Sequence, residues 1–411
     1  MTDSSLEGST PTYSSDQAWK RTTRTITTVA SFATFSNGAR TTGFATLAAV
    51  VAPNPWIIGL ISAASILPWL LLAQSVGPVV DSARRSRILQ AAGTGGLILS
   101  LVLLGIFVWY GVPWAVLLVF AALFSSVHVF LDVTANRLLV DTVPDEALPR
   151  ANGRMSAWQS SMAVLAPACA AVALGYSEHL FALLVVTIFG GIVVVCARFS
   201  SDEVSSPSAR VKGDWRRPHG IRMLYRTKGL LALASSVSLM NLYSGIFATM
   251  LPLLILQSPG SELHYVGFAF AIQAGAMLLG VWTASRLIDK FKSATRALLV
   301  VSAAMKLPVF ALVVISGDMT LILVAVILNG ISAGFWNAPS STALLRLSRG
   351  DYQTDTIASY KMLASLGAPF GALLGGAAAG AFGLTASFWL GLVLAGIVSG
   401  IIAYRVRHMN L

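Results

Sequence analysis

Apolar runs about 20 residues long recur along this chain, and that repeat limits its folding more than any other feature. A run of this length crosses roughly 30 Å of hydrocarbon at about 1.5 Å rise per residue. Twelve runs are predicted, near 26–50, 55–75, 88–109, 113–138, 154–176, 179–199, 228–256, 264–285, 297–316, 320–345, 358–382 and 384–404. The first is the least apolar, because it carries Thr, Ser and Arg40. Pro68, Pro167, Pro308 and Pro369 fall inside runs, where membrane helices tolerate them. The expected fold is an all-α integral membrane protein of twelve transmembrane helices in two six-helix bundles.

Charge content agrees. Only 11% of the 411 residues are charged, against roughly 25% in ordinary soluble domains. A net charge of +11 raises the question of nucleic acid, and the placement of that charge answers it. All but two of the 28 Lys and Arg residues lie in the N-terminal segment, in alternate loops or in the C-terminal tail, and the intervening loops carry Glu178, Glu262 and Asp318 instead. Positive-inside bias of this kind puts both termini in the cytoplasm and makes the span number even. It explains the basic pI without nucleic acid. Two residues break the pattern: Arg40 and Lys306 sit inside apolar runs.

Domain boundaries follow from the same pattern. Residues 1–25 read as a disordered, uncleaved cytoplasmic tail, 26–199 as the first bundle, 200–227 as a cytoplasmic linker, 228–404 as the second bundle and 405–411 as a tail. The linker contains WRRPHGIR, a solvated basic stretch with anionic-lipid contact as the lesser reading. Cys169 and Cys196 lie in apolar runs and read as buried packing residues, without a disulfide or metal role.

The halves echo each other weakly. GPVVDSARRSR follows the second run and SRLIDKFKSATR the eighth, with Asp81 and Asp289 in comparable places. SSMAVLAPACAAVALGY in the fifth run is similar to ASLGAPFGALLGGAAAG in the eleventh, aligning Pro167 with Pro369. Two halves with a solute site between them are a recurring transporter design.

GPVVDSARRSRIL, from Gly77 to Leu89, resembles the loop between spans 2 and 3 of the major facilitator superfamily. Gly77, Asp81, Arg84, Arg85 and Arg87 match that loop in residue type, while its usual glycine after the Asp–Arg pair is replaced by Ala83 or Arg84. VDTVPDEALPRANGR and the span after it resemble the drug:proton antiporter branch of that superfamily, which includes macrolide-efflux and enterobactin-export proteins. Val143, Pro144, Glu146, Leu148, Ala151 and Asn152 match, and Ala166 stands where that branch has Gly before Pro167. The resemblance implies gating roles for Gly77, Asp81, Arg84, Arg85, Pro167, Asp289 and Pro369. It also implies that spans 1, 4, 7 and 10 line a central cavity.

Those four spans hold much of the buried polar content, and polar groups facing lipid are costly. Candidate substrate-binding residues are therefore Asn37, Arg40, His128, Asn241, Tyr243, Trp336 and Asn337. Asp132 is the only carboxylate well inside a run, with His128 one turn away on the same face. It reads either as a proton carrier, with His128 as helper, or as a gate partner of Arg84 or Arg85; His128 alone reads equally as polar packing. Arg40 lies roughly 21 Å above the cytoplasmic start of its span and Asp132 roughly 9 Å above the end of its own, which argues against a direct pair. Arg40 is either an anchor for an anionic solute or a snorkelling side chain. Lys306 is expected to pack or snorkel. Relatives in the branch often carry an acid where Asn37 stands, so this chain lacks that acid in span 1.

No phosphate loop, metal cluster or nucleophile triad is present, so the expectation is a non-enzymatic carrier with no cofactor. It would be a monomer in the inner membrane, its partners a small-molecule solute, protons and lipid. It would export an amphiphilic molecule by alternating access with proton antiport. Its alternatives are a carrier for an anionic metabolite, lipid or siderophore-like compound held by Arg40, and a non-transporting receptor or assembly factor.

Overall fold

The computed structural model describes residues 12–82, 84–144, 147–198, 219–291, 294–315, 318–347 and 353–407. These form sixteen helices and, among the described residues, no strand. The first half holds α1 (Thr12–Val51), α2 (Pro55–Ala64), α3 (Leu67–Ser82), α4 (Arg85–Tyr110), α5 (Trp114–Thr142), α6 (Leu148–Tyr176) and α7 (Glu178–Cys196). A short α8 (His219–Arg226) precedes α9 (Lys228–Gln257), α10 (Leu263–Lys290), α11 (Ala294–Ala304), α12 (Lys306–Ile315), α13 (Met319–Leu347), α14 (Gln353–Ser365), α15 (Gly367–Phe382) and α16 (Leu384–Arg407).

Among the described residues, eleven spans are long and apolar enough to cross a membrane. The polar α1 falls outside that set, yet it packs against α5, α6 and α7 as their equal. Three predicted spans are broken helices, and proline explains each break. The chain interrupts two or three residues ahead of Pro68, Pro308 and Pro369, because a proline ring lacks an N–H and clashes with the carbonyl one turn back. At the α11/α12 break, Ser332 Oγ donates to the Ser302 carbonyl at 2.9 Å and Ser399 Oγ to the Ala303 carbonyl at 2.8 Å.

Two expectations about the segments outside the spans are revised. Helix α1 begins at Thr12, inside the stretch expected to be disordered, since an anchored helix propagates outward cheaply once nucleated. Within the linker, residues 199–218 lie outside the description, while α8 is helical and packs on α9 and α14 through Leu224. The thiols also differ from expectation: Cys196 is buried, but Cys169 is exposed on the apolar outside of α6.

The halves meet along α6–α10 and α2–α15. Glycines set these approaches: a Cβ at Gly376 would lie 2.6 Å from the Pro55 carbonyl oxygen, and one at Gly267 3.0 Å from Ala171. Gly59 lies against Ala372, Gly175 against His264 and Gly380 against Trp56. All these contacts fall toward the end where α2 begins and α15 stops. At the opposite end, where Arg84 and Arg85 lie, the halves touch only slightly among the described residues, α3 against α14.

Candidate functional site

On α1, Arg40 lies against Phe124 of α5 and Gly38 against Ala166 of α6. Arg40 is 2% exposed, so it does not snorkel. Its Nε donates to Ser36 Oγ one turn earlier at 3.1 Å, and its guanidinium lies 4.7 Å from the Phe124 ring centroid on α5. Its Nη2 is buried and has no hydrogen-bond partner among the described residues. Phe124 is fixed in turn by stacking on Phe189 (5.5 Å) and by a tilted contact with Phe44 (6.2 Å).

Four residues spaced by four continue along α5 from this aromatic shelf: Phe124, His128, Asp132 and Asn136. Side chains four apart are neighbours on a helix surface. His128 is buried, its Nδ1 unpartnered among the described residues, and it lies within electrostatic reach of both Asp132 and Arg40. Ser125 Oγ is likewise buried without a partner. Asp132 Oδ1 accepts from Asn136 Nδ2 at 3.2 Å and from Gln159 Nε2 of α6 at 3.3 Å. No ion pair joins Arg40 to Asp132 among the described residues.

The remaining expected residues are scattered. Asn37 is half-buried on α1. Asn241 donates to the Ala364 carbonyl at 2.8 Å, tying α9 to α14. Tyr243 is fully buried in the second half against Phe310, its hydroxyl unpartnered among the described residues. Trp336 is buried with Nε1 unpartnered, and Asn337 is exposed. Lys306 is 3% exposed and donates to Asn329 Oδ1 on α13, so packing and not snorkelling describes it.

Among the gating residues, Arg84 is exposed and Arg85 pairs with Asp141, not with Asp132. The side chains at positions 77, 81 and 289, where Gly77, Asp81 and Asp289 stand, lie outside the described residues, as does Glu146. Pro167 and Pro369 occupy matching places. A Cβ at Gly38 of α1 would lie 2.9 Å from Ala166 Cβ, and Gly245 of α9 abuts the Ala368 carbonyl. In each half, the residue before the proline therefore meets a glycine of that half's first long helix.

Phe124, Asn136 and Gln159 were not singled out from sequence. A phenylalanine one turn from His128 is unremarkable in an apolar run, and Gln159 is one polar residue among several in its span. No group of three or more His, Cys, Asp or Glu able to hold a metal occurs among the described residues.

Comparison with known proteins places this arrangement in context. The sequence profile of the Major Facilitator Superfamily matches residues 26–317 and 233–409. A bacterial homologue of the human lysosomal transporter Spinster, in an inward-facing and unoccupied conformation, superposes with a TM-score of 0.73 at 12% identity, covering 97% of this chain and 98% of that one. The nucleoside transporter NupG superposes with a TM-score of 0.66 at 13% identity, covering 93% and 98%. At such identities the likeness is one of fold. No curated protein matches the sequence significantly.

Proposed function

The chain belongs to the major facilitator superfamily, and from that premise we propose that it carries an amphiphilic small molecule bearing an anionic group, held at Arg40. The observation behind this reading is the state of that guanidinium: 2% exposed, on an aromatic face, with Nη2 unpartnered and no carboxylate paired to it among the described residues. A buried cation is expensive in a membrane. An anionic group arriving with the solute supplies the missing partner, and charge-assisted bonds to guanidinium are the strong ones.

The fold supports alternating access about Arg40. The halves are knit by glycines at one end and part toward the basic end, which positive-inside bias assigns to the cytoplasm. On this reading the protein is a monomer in the inner membrane with both termini cytoplasmic. A general exporter of cationic drugs fits less well, because Arg40 repels cations and Asn37 replaces the acid often found in that branch. Asp132 remains the proton-coupling residue. Thermal-shift screening of purified protein with anionic, cationic and neutral amphiphiles tests the proposal, because a bound ligand stabilises by mass action. Anionic compounds should raise Tm, and Arg40→Ala should abolish that shift alone; equal loss for cationic dyes would contradict it.

A further inference from the structure

Phe124, His128 and Asp132 follow one another about a turn apart on α5, a rise of about 6 Å each, and Arg40 lies over the first of them. Opposite charges thus sit at the two ends of a short polar ladder, unpaired with each other among the described residues, with His128 between them and within reach of both. From α6, among the described residues, the ladder meets the neutral amide of Gln159. From α4 the cation Arg85 is engaged by Asp141, beyond Asp132 toward the basic end. The acid and imidazole of α7, Glu178 and His179, lie at its opposite end, α2 contributes no charge, and the one charged residue of α3, Asp81, has its side chain outside the described residues.

This inference rests on the reading of Arg40 as an anion anchor. The Arg40 guanidinium acts on His128, and an anion bound at Arg40 cancels that field, so a positive charge beside it on the ladder is opposed less. Linkage is reciprocal, so a proton on that pair strengthens anion binding by the same factor. We propose that the chain moves its anionic solute together with a proton, in the same direction, instead of exchanging one for the other. Exchange requires solute and proton to exclude each other, as a cation competing for Asp132 would. An anion at Arg40 does the opposite. The proton passes from water on one side to the His128–Asp132 pair and leaves to water on the other side with the solute.

The test uses the full chain in lipid nanodiscs and two probes, 2-naphthalenesulfonate, whose charge does not vary across the range, and the neutral 2-naphthalenesulfonamide. Sulfonate affinity should tighten about tenfold or more between about pH 8 and about pH 6, and the sulfonamide should show no such slope. Asp132→Asn should flatten the slope, and Arg40→Gln should abolish sulfonate binding, with Arg40→Lys, which keeps the charge, retaining part of it. Arg40-dependent binding whose slope is flat or reversed would overturn co-transport and leave the anchor standing. Sulfonate binding that is absent, or unchanged in Arg40→Gln, would remove the anchor and this inference with it. The wild-type slope is readable whether or not any variant folds.

Discussion

Two basic side chains buried in a membrane protein meet different fates here. Lys306 has a neutral partner in Asn329; Arg40 keeps Nη2 unpartnered among the described residues. Removing the partner of a buried charge leaves that charge uncompensated and is costly, whereas replacing both members by apolar residues is often neutral. Asn329→Leu should therefore lower Tm markedly, and adding Lys306→Met should restore it; thermal unfolding in detergent checks both. The Phe124 ring beneath Arg40 contributes about 0.5–2 kcal/mol as a cation–π partner. Phe124→Leu should weaken anionic ligands several-fold in a binding titration and also lower Tm, since the ring is buried against Phe44 and Phe189. The two basic outliers were plain in the sequence, since any charge inside an apolar run stands out. Their partners were not: Phe124 is one apolar residue among many, and Asn329 is identified only once α12 and α13 are seen side by side.

Glycines divide into two kinds at the level of helices. Gly371 closes α15 against the Leu242 carbonyl of α9 within one half, while Gly376 closes α15 against Pro55 of α2 across the halves. A Cβ at either position cannot be accommodated without movement, but the movements differ. Gly371→Val should lower stability without changing the distribution of conformations. Gly376→Val should part the halves at that end, lengthening distances there between paired spin labels and shortening them at the basic end. Outside the membrane, Asp318 caps α13: the backbone N–H groups of Leu321 and Thr320 donate to its carboxylate and hold its pKa below the ordinary 3.8. That contribution is present above about pH 4 and fades as pH falls through the lowered value; Asp318→Asn should remove this acid dependence of Tm. Helix positions were legible because bilayer thickness imposes them. The breaks at Pro68, Pro308 and Pro369 were not, because a membrane helix can absorb a proline without breaking, as α6 does at Pro167.

At the scale of the molecule, membership of the superfamily and the two-half architecture were legible from span count, basic loops and the GPVVDSARRSRIL motif. The site was legible only in part. Arg40, His128 and Asp132 come together on α1 and α5, whereas Tyr243 and Asn241 turn into the packing of the second half. Sequence period gives a side chain's face along its own helix, but which neighbour that face meets depends on helix rotation within the bundle. We propose that Arg40 holds an anionic solute which the two halves carry across the membrane. Counterflow of labelled 2-naphthalenesulfonate in proteoliposomes tests it most directly. Saturable counterflow by the wild type, lost in Arg40→Gln and absent for the neutral sulfonamide, is the predicted result; sulfonate counterflow that survives Arg40→Gln undiminished would contradict it.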